Sequence, residues 1–201
     1  MSPRPPDDRR SRYEEAFERF DLANAEDPNR IIVDFVSQPK ALAYAIRMTD
    51  RLERFAPEAS EVICLAARCQ HIRRWTIPRT DFEPGRAGYR LWRKTLGVFH
   101  ADAAAEILRA VGYDETTISR VEALLRKDNL GSDLDVQILE DVACLVFLEH
   151  YLEDFASDRK EAMLVEILRK TWRKMSDTGR ASALGIDLPP ELRALVKHAV
   201  G

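Results

Sequence analysis

The chain has 201 residues, 45% of them hydrophobic and 32% charged. That is long enough for one sizeable core and short for two independent domains. A net charge of -3 gives no global field drawing the chain to nucleic acid or to a membrane surface, so anion affinity has to come from local clustering. No apolar run reaches the roughly 18–20 residues of a membrane span, and the opening stretch is too polar for a secretory signal.

Residues 1–11 read as a disordered polar lead, followed by a single all-helical domain over 12–201. A first helix is predicted from Arg12 to about Ala25, ending before Asp27-Pro28 because proline disfavours helix in the residue before it. A second covers roughly Pro39–Arg54, with proline at its start. A third runs from about Glu58 to Arg74. Trp75–Gly88 carries Pro78, Pro84, Gly85 and Gly88 and reads as a long loop, a kind that is often functional. A long helix from about Tyr89 to Val111 stops at Gly112.

Asp114 or Thr116 caps the next helix, to about Lys127. Asp133 caps another, to about Phe155, and two or three shorter helices close the chain, one after Pro189-Pro190. Alternating strand patterns are nearly absent. The expectation is a compact all-α bundle of about seven to nine helices.

Three polar residues stand on apolar helix faces. Leu134, Ile138, Asp141, Leu145, Leu148 and Leu152 share an arc of roughly 80° at 100° per residue. A buried carboxylate there requires a metal, a cation or several hydrogen-bond donors, and a structural ion pair would also satisfy it. His100 shares its face with Leu96, Ala103, Ala104, Ile107 and Val111, and Arg93 lies nearby; a lone histidine so placed is more often a core residue than a ligand.

His71 ends the apolar run from Ile63 and opens onto the long loop. That loop and its flanks are basic and aromatic, with Arg74, Trp75, Arg79, Arg90 and Arg93. The planar fork of arginine suits phosphate and carboxylate, which makes these side chains candidates for a small anionic or phosphorylated ligand; surface ion pairing is the bland alternative. The cluster is short and the chain acidic overall, which argues against nucleic acid.

Cys64, Cys69 and Cys144 lie in apolar helical runs without a Cys-x-x-Cys pair, which suits reduced thiols in a cytoplasm. Asp21, Asn24 and Asp27 lack the spacing of a calcium loop and suit helix capping and a turn. His150 and His198 read as solvated.

The run Ala66-Ala67-Arg68-Cys69-Gln70-His71-Ile72-Arg73-Arg74-Trp75 resembles the domain-of-unknown-function 4202 family. So do Pro78-Arg79, Gly88-Tyr89-x-x-Trp92-Arg93, Asp21-x-x-Asn24-x-x-Asp27-Pro28, Arg47-Met48, the segment Leu139–Glu149 and Lys174-Met175. The likeness extends over about residues 13–187 and implies no activity by itself.

Ala66-Ala67-x-x-Gln70-His71-Ile72 is also similar in shape to the Ala-Ala-x-x-His-Asp-Ile core of HD-domain phosphohydrolases, helical bundles that activate water at one or two divalent metals. That resemblance implies His71, His100 and Asp141 as ligands of one divalent ion (Mn, Fe, Zn or Mg). Asp141 and Lys127 would then be the catalytic pair. Arg74, Arg79, Arg90, Arg93 and Lys127 would bind the phosphate of a small metabolite or nucleotide, with Gln70, Trp75 and Arg47 in the same pocket.

The departures are specific. Gln70 replaces the motif His and His71 the motif Asp, and the helix at Pro39–Arg54 offers Tyr44, Arg47 and Asp50 where a first His belongs. Lys127 could fill a vacant metal position with its own charge and pair with Asp141. A degenerate anion-binding protein and a helical scaffold therefore stand beside the enzyme reading.

Overall fold

A computed structural model describes residues 8–201, with side chains from Arg12 onward. The expected disordered lead lies outside the described residues over 1–7, and helix begins at Asp8, four residues before the predicted start. Among the described residues there are ten α-helices and one two-stranded sheet. The all-α class holds, with slightly more helices than the sequence suggests. The chain packs as two compact units: one runs to Asp50 and resumes over Glu58–Asp128, the other comprises Arg51–Pro57 and Asn129–Gly201.

In the first unit α1 (Asp8–Ala25) leads into a hairpin of β1 (Arg30–Val33) and β2 (Val36–Pro39). Then come α2 (Lys40–Phe55, its last turn in the second unit), α3 (Glu61–Cys69), two 3-10 turns, α4 (Gly85–Ala110) and α5 (Glu115–Arg126). The hairpin is the element the sequence conceals. Its antiparallel register pairs Arg30 with Pro39 and Val33 with Val36. The turn is made by Asp34 and Phe35 at φ 48° and 64°. Two successive left-handed residues match the twist of a two-residue hairpin, but Asp-Phe is not the Asn-Gly or Asp-Gly that announces one. Four-residue strands are also too short to show a period.

The core of this unit mixes large and very small side chains. Phe20, Met48, Leu65, Ile72, Leu96, Leu108, Ile118 and Leu124 are buried among Ala16, Ala23, Ala66, Ala67, Ala101 and Ala104. The alanines let α1, α3 and α4 approach closely, which is why α3 can be so short and still fully packed. Asp114 caps α5 by accepting from Thr117 N–H, and Gly112 follows α4 at φ 85°, as the sequence indicates.

In the loop before α4 the Arg79 guanidinium donates to the carbonyls of Phe82 and Glu83, both at 2.8 Å. A β-carbon at Gly88 would lie 2.0 Å from the Glu83 carbonyl oxygen, so only glycine admits this close turn.

The second unit contains α6 (Leu134–His150), α7 (Leu152–Ser157), α8 (Glu161–Lys174), α9 (Asp177–Leu184) and α10 (Pro190–Val200). Asp133 caps α6 through Asp135 and Val136 N–H. Leu145, Leu148, Leu152, Val165, Leu168, Met175 and Val196 form its core, with Phe55 and Trp172 packed against it. The predicted helix to Phe155 breaks at Tyr151, which takes φ -128° and ψ -14° without any proline or glycine to signal it.

Asp27, 5% exposed, accepts from Asn29 N–H at 2.9 Å, Asn29 Nδ2 at 2.8 Å and Ala41 N–H at 2.9 Å. It thereby caps α2 from outside the helix. Asp27→Ala is expected to destabilise the protein by about 2–3 kcal/mol, since charged hydrogen bonds are lost and buried N–H groups orphaned. Urea unfolding checks it; a loss below about 0.5 kcal/mol would show the cap to be dispensable.

Candidate anion-binding cavity

The residues that end α3 are turned back by a left-handed residue. Ile72 N–H bonds Cys69 O, Arg74 N–H bonds His71 O, and Arg73 between them adopts φ 49°. A non-glycine residue pays strain there, and Asn24 helps hold it by accepting Arg73 N–H at 3.2 Å. The reversal brings Gln70, His71 and Arg74 to the wall of one small cavity of about 50 Å³, completed by Arg93, Leu96, Gly97 and His100 of α4 and by Leu125, Arg126 and Lys127 at the end of α5. Lys127 is itself left-handed, at φ 60°, and terminates α5.

Hydrogen bonds and stacking order the cavity wall. Tyr44 of α2 stacks on His71 with centroids 4.3 Å apart and planes 18° from parallel, and its hydroxyl donates to Gln70 Oε1 at 3.2 Å. The His71 and His100 rings lie 5.7 Å apart. His100 Nδ1 is 2.8 Å from Ile72 O. Arg74 stacks over Trp92 at 4.7 Å, while the Trp92 indole donates to Ile77 O at 2.9 Å.

The charge in this cavity is one-sided. Arg126 has acidic partners, Glu122 at 3.9 Å and Asp128 at 3.2 Å. Among the described residues neither Arg74 nor Arg93 has a carboxylate partner. Burial, with Arg93 next to it, lowers the Arg74 guanidinium to about 10. Burial and the charge of Arg74 push His100 down to about 3, against a weaker upward pull from the Ile72 carbonyl. His71 falls well below the ordinary imidazole value through burial, then through Arg74, His100, Arg93 and Lys127. Both rings are therefore neutral at pH 7. Among the described residues, Gln70 Nε2 and His100 Nε2 are two buried polar atoms of this cavity's residues without a hydrogen-bond partner.

Of the residues singled out in the sequence, the structure gathers Gln70, His71, Arg74, Arg93, His100 and Lys127 around this cavity. Trp75, Arg90 and Arg47 do not line it, and Arg79 is spent on loop carbonyls. Sequence reasoning missed Gly97, Leu125 and Arg126. Gly97 carried a signal, because a glycine inside a long helix marks a close approach; here Arg126 Cα would lie 3.6 Å from a β-carbon.

Asp141 belongs to the second unit, and donors of that unit satisfy it. It accepts from Ser176 N–H at 2.9 Å, from the Ser176 hydroxyl, and from Gln137 Nε2 at 3.1 Å. This seat locks the start of α9 against α6. A β-carbon at Gly179 would come 2.6 Å from the Asp141 carboxylate. Gly179→Ala is expected to cost about 1–3 kcal/mol by overpacking, read as a lower unfolding midpoint; unchanged stability would mean that the seat yields freely.

The histidines set an acid limit on stability. An unfolded imidazole takes up its proton near pH 6.5, whereas His71 and His100 resist it when folded. Below pH 6.5 the unfolded chain therefore binds more protons, and stability, complete above that pH, falls as pH drops. Each ring can remove up to about 1.4 kcal/mol per pH unit, His100 until pH approaches about 3. Denaturant unfolding at pH 8, 6.5 and 5.5 should show a shallower decline for His100→Asn than for the natural chain; equal declines would place His100 outside this effect.

The model of the family described as "Domain of unknown function (DUF4202)" matches residues 14–196. The chain belongs to this family. No curated protein and no solved structure matches it. Among the described residues no helix is long and apolar enough to cross a membrane.

Proposed function

We propose that this family member binds the phosphate group of a small phosphorylated metabolite or nucleotide in the cavity between α3, α4 and α5, without a metal. One observation carries the reading: two guanidinium groups without carboxylate partners among the described residues, Arg74 and Arg93, line the same cavity as Gln70 and His100, each of which has a buried polar atom without a partner. Buried charge without a counter-charge is costly, and a bound oxyanion supplies both the negative charge and the missing hydrogen bonds. The cavity of about 50 Å³ exceeds the roughly 10–15 Å³ that one water requires. It has room for a phosphate group, and the remainder of a larger ligand would extend outward.

The likeness to HD-domain phosphohydrolases favours a metal-dependent hydrolase, with His71, His100 and Asp141 as ligands and Lys127 assisting Asp141. The donor set argues against that assignment. The cavity's histidines are flanked by cations, which oppose a metal ion, and Asp141 has its oxygens occupied by Ser176 and Gln137. Among the described residues no group of three or more His, Cys, Asp and Glu side chains is placed to hold an ion. Gln70, in the position of the motif histidine, serves as a neutral amide donor. The proposal is recognition without turnover.

Thermal unfolding with inorganic phosphate tests this. A ligand at one hundred times its Kd stabilises by about 2.7 kcal/mol, so the melting temperature should rise with the logarithm of phosphate concentration. Arg93→Met should abolish the rise while leaving the unliganded protein equally stable or more stable, because the variant removes unpaired charge. No response to phosphate, or an equal response in the variant, would sink the reading. Phosphate release from a simple monoester on adding Mn²⁺ or Zn²⁺ would instead restore the hydrolase.

A further inference from the structure

The two nitrogens of His100 have different roles. A carbonyl oxygen only accepts, so Nδ1, 2.8 Å from Ile72 O, carries the ring hydrogen. In the neutral ring Nε2 is then a bare lone pair. It is buried and has no hydrogen-bond partner among the described residues, and since Nδ1 is committed, contact between this ring and a cavity occupant falls to Nε2. Apart from the imidazole of His71, the other polar side chains lining the cavity are donors or cations: Arg74 from the turn after α3, Arg93 from α4, Arg126 and Lys127 from the end of α5, and the amide of Gln70, whose oxygen is engaged by Tyr44 of α2. His71, stacked on Tyr44, is the remaining titratable neighbour.

An acceptor whose tautomer is fixed, set among donors, reads the ligand's hydrogen. An oxyanion with no hydrogen sets an oxygen lone pair against the Nε2 lone pair, at the cost of an unmade hydrogen bond in a buried place. An oxyanion with one hydrogen satisfies Nε2 through that hydrogen and the arginines through its other oxygens. Resting on the proposed oxyanion reading, we infer that His100 Nε2 makes the cavity specific for phosphate monoesters carrying one proton, and that it discriminates against sulfate and phosphodiesters, which have none to give at neutral pH.

The complex holds a single proton shared between Nε2 and a ligand oxygen. Phosphate monoesters keep that proton up to a second pKa of about 6, so at higher pH it must be taken from solvent, and affinity falls by about tenfold per pH unit. Over pH 7–9 the cavity groups with displaced protonation do not contribute to this slope. His71 and His100 are already neutral, and Arg74 keeps its charge to about pH 10.

Calorimetric titration of the full chain with methyl phosphate, a monoester that loses its last hydrogen near pH 6, and with sulfate, at pH 6, 7, 8 and 9, tests the inference. The monoester should bind at least tenfold more tightly than sulfate at pH 6, and its affinity should drop about tenfold per unit between pH 7 and 9. Equal affinities, or a monoester affinity that is flat or rising with pH, would overturn it.

His100→Asn keeps an amide hydrogen for Ile72 and removes the Nε2 acceptor. It should erase the preference and the pH slope together while still binding an anion; a variant that retained them would refute the assignment to His100. Should it fail to fold, the comparison of the two anions on the natural chain decides alone. Binding of neither anion is a different result, and overturns the oxyanion reading itself.

Discussion

Asp21, Asn24 and Asp27 sit three residues apart at the end of α1, and each reaches a different part of the first unit. Asp21 takes the Arg68 guanidinium in two bonds of 2.7 and 2.6 Å, fixing the last turn of α3. Asn24 accepts the backbone N–H of the strained Arg73, and Asp27 caps α2. The cavity depends on these contacts. Gln70 and His71 follow directly from the end of α3, Arg74 follows the left-handed reversal, and Tyr44 is set by where α2 begins. A paired, largely buried Arg68 and a fully hydrogen-bonded Asp27 hold in place a cavity where Arg74 and Arg93 have no carboxylate partner among the described residues.

That contrast separates the polar groups that build the fold from those that await something. Asp141 and Asp27 are nearly inaccessible, yet each has three donors, and the charge is distributed into N–H and O–H dipoles. Gln70 and His100 are equally inaccessible but only half satisfied. Native proteins leave few buried polar atoms unpaired. Gln70 and His100 share one cavity with two arginines that have no carboxylate partner among the described residues, and an oxyanion of the proposed kind would pair with all four.

Much of this was legible in the sequence because periodicity reports burial. The apolar arc around Asp141 and the face around His100 announced both as buried, and both are. Asp114, Asp133 and Gly112 marked helix ends through local chemistry that needs no tertiary context. The hairpin turn at Asp34-Phe35 and the break at Tyr151 were not legible, since ordinary residues adopt those conformations only when the surroundings enforce them.

The partner of Asp141 was hidden for a different reason. Periodicity says that a carboxylate is buried, but not that Ser176, thirty-five positions on, will supply two donors to it. The arginine-rich loop likewise gave composition without destination: Arg74 and Arg93 reach the cavity, while Arg79 folds onto its own loop.

Set beside a histidine-aspartate pair, Gln70-His71 gives the end of α3 a different chemistry. An aspartate there would neutralise one arginine and favour a cation; His71 does neither, and burial together with the surrounding charge keeps its ring unprotonated. Gln70 offers an amide hydrogen where a histidine would offer a lone pair to a metal. Compared with that pair, both residues suit the proposed anion better than a cation. Under the oxyanion proposal, the lone pair at His100 Nε2 favours a ligand that brings its own hydrogen.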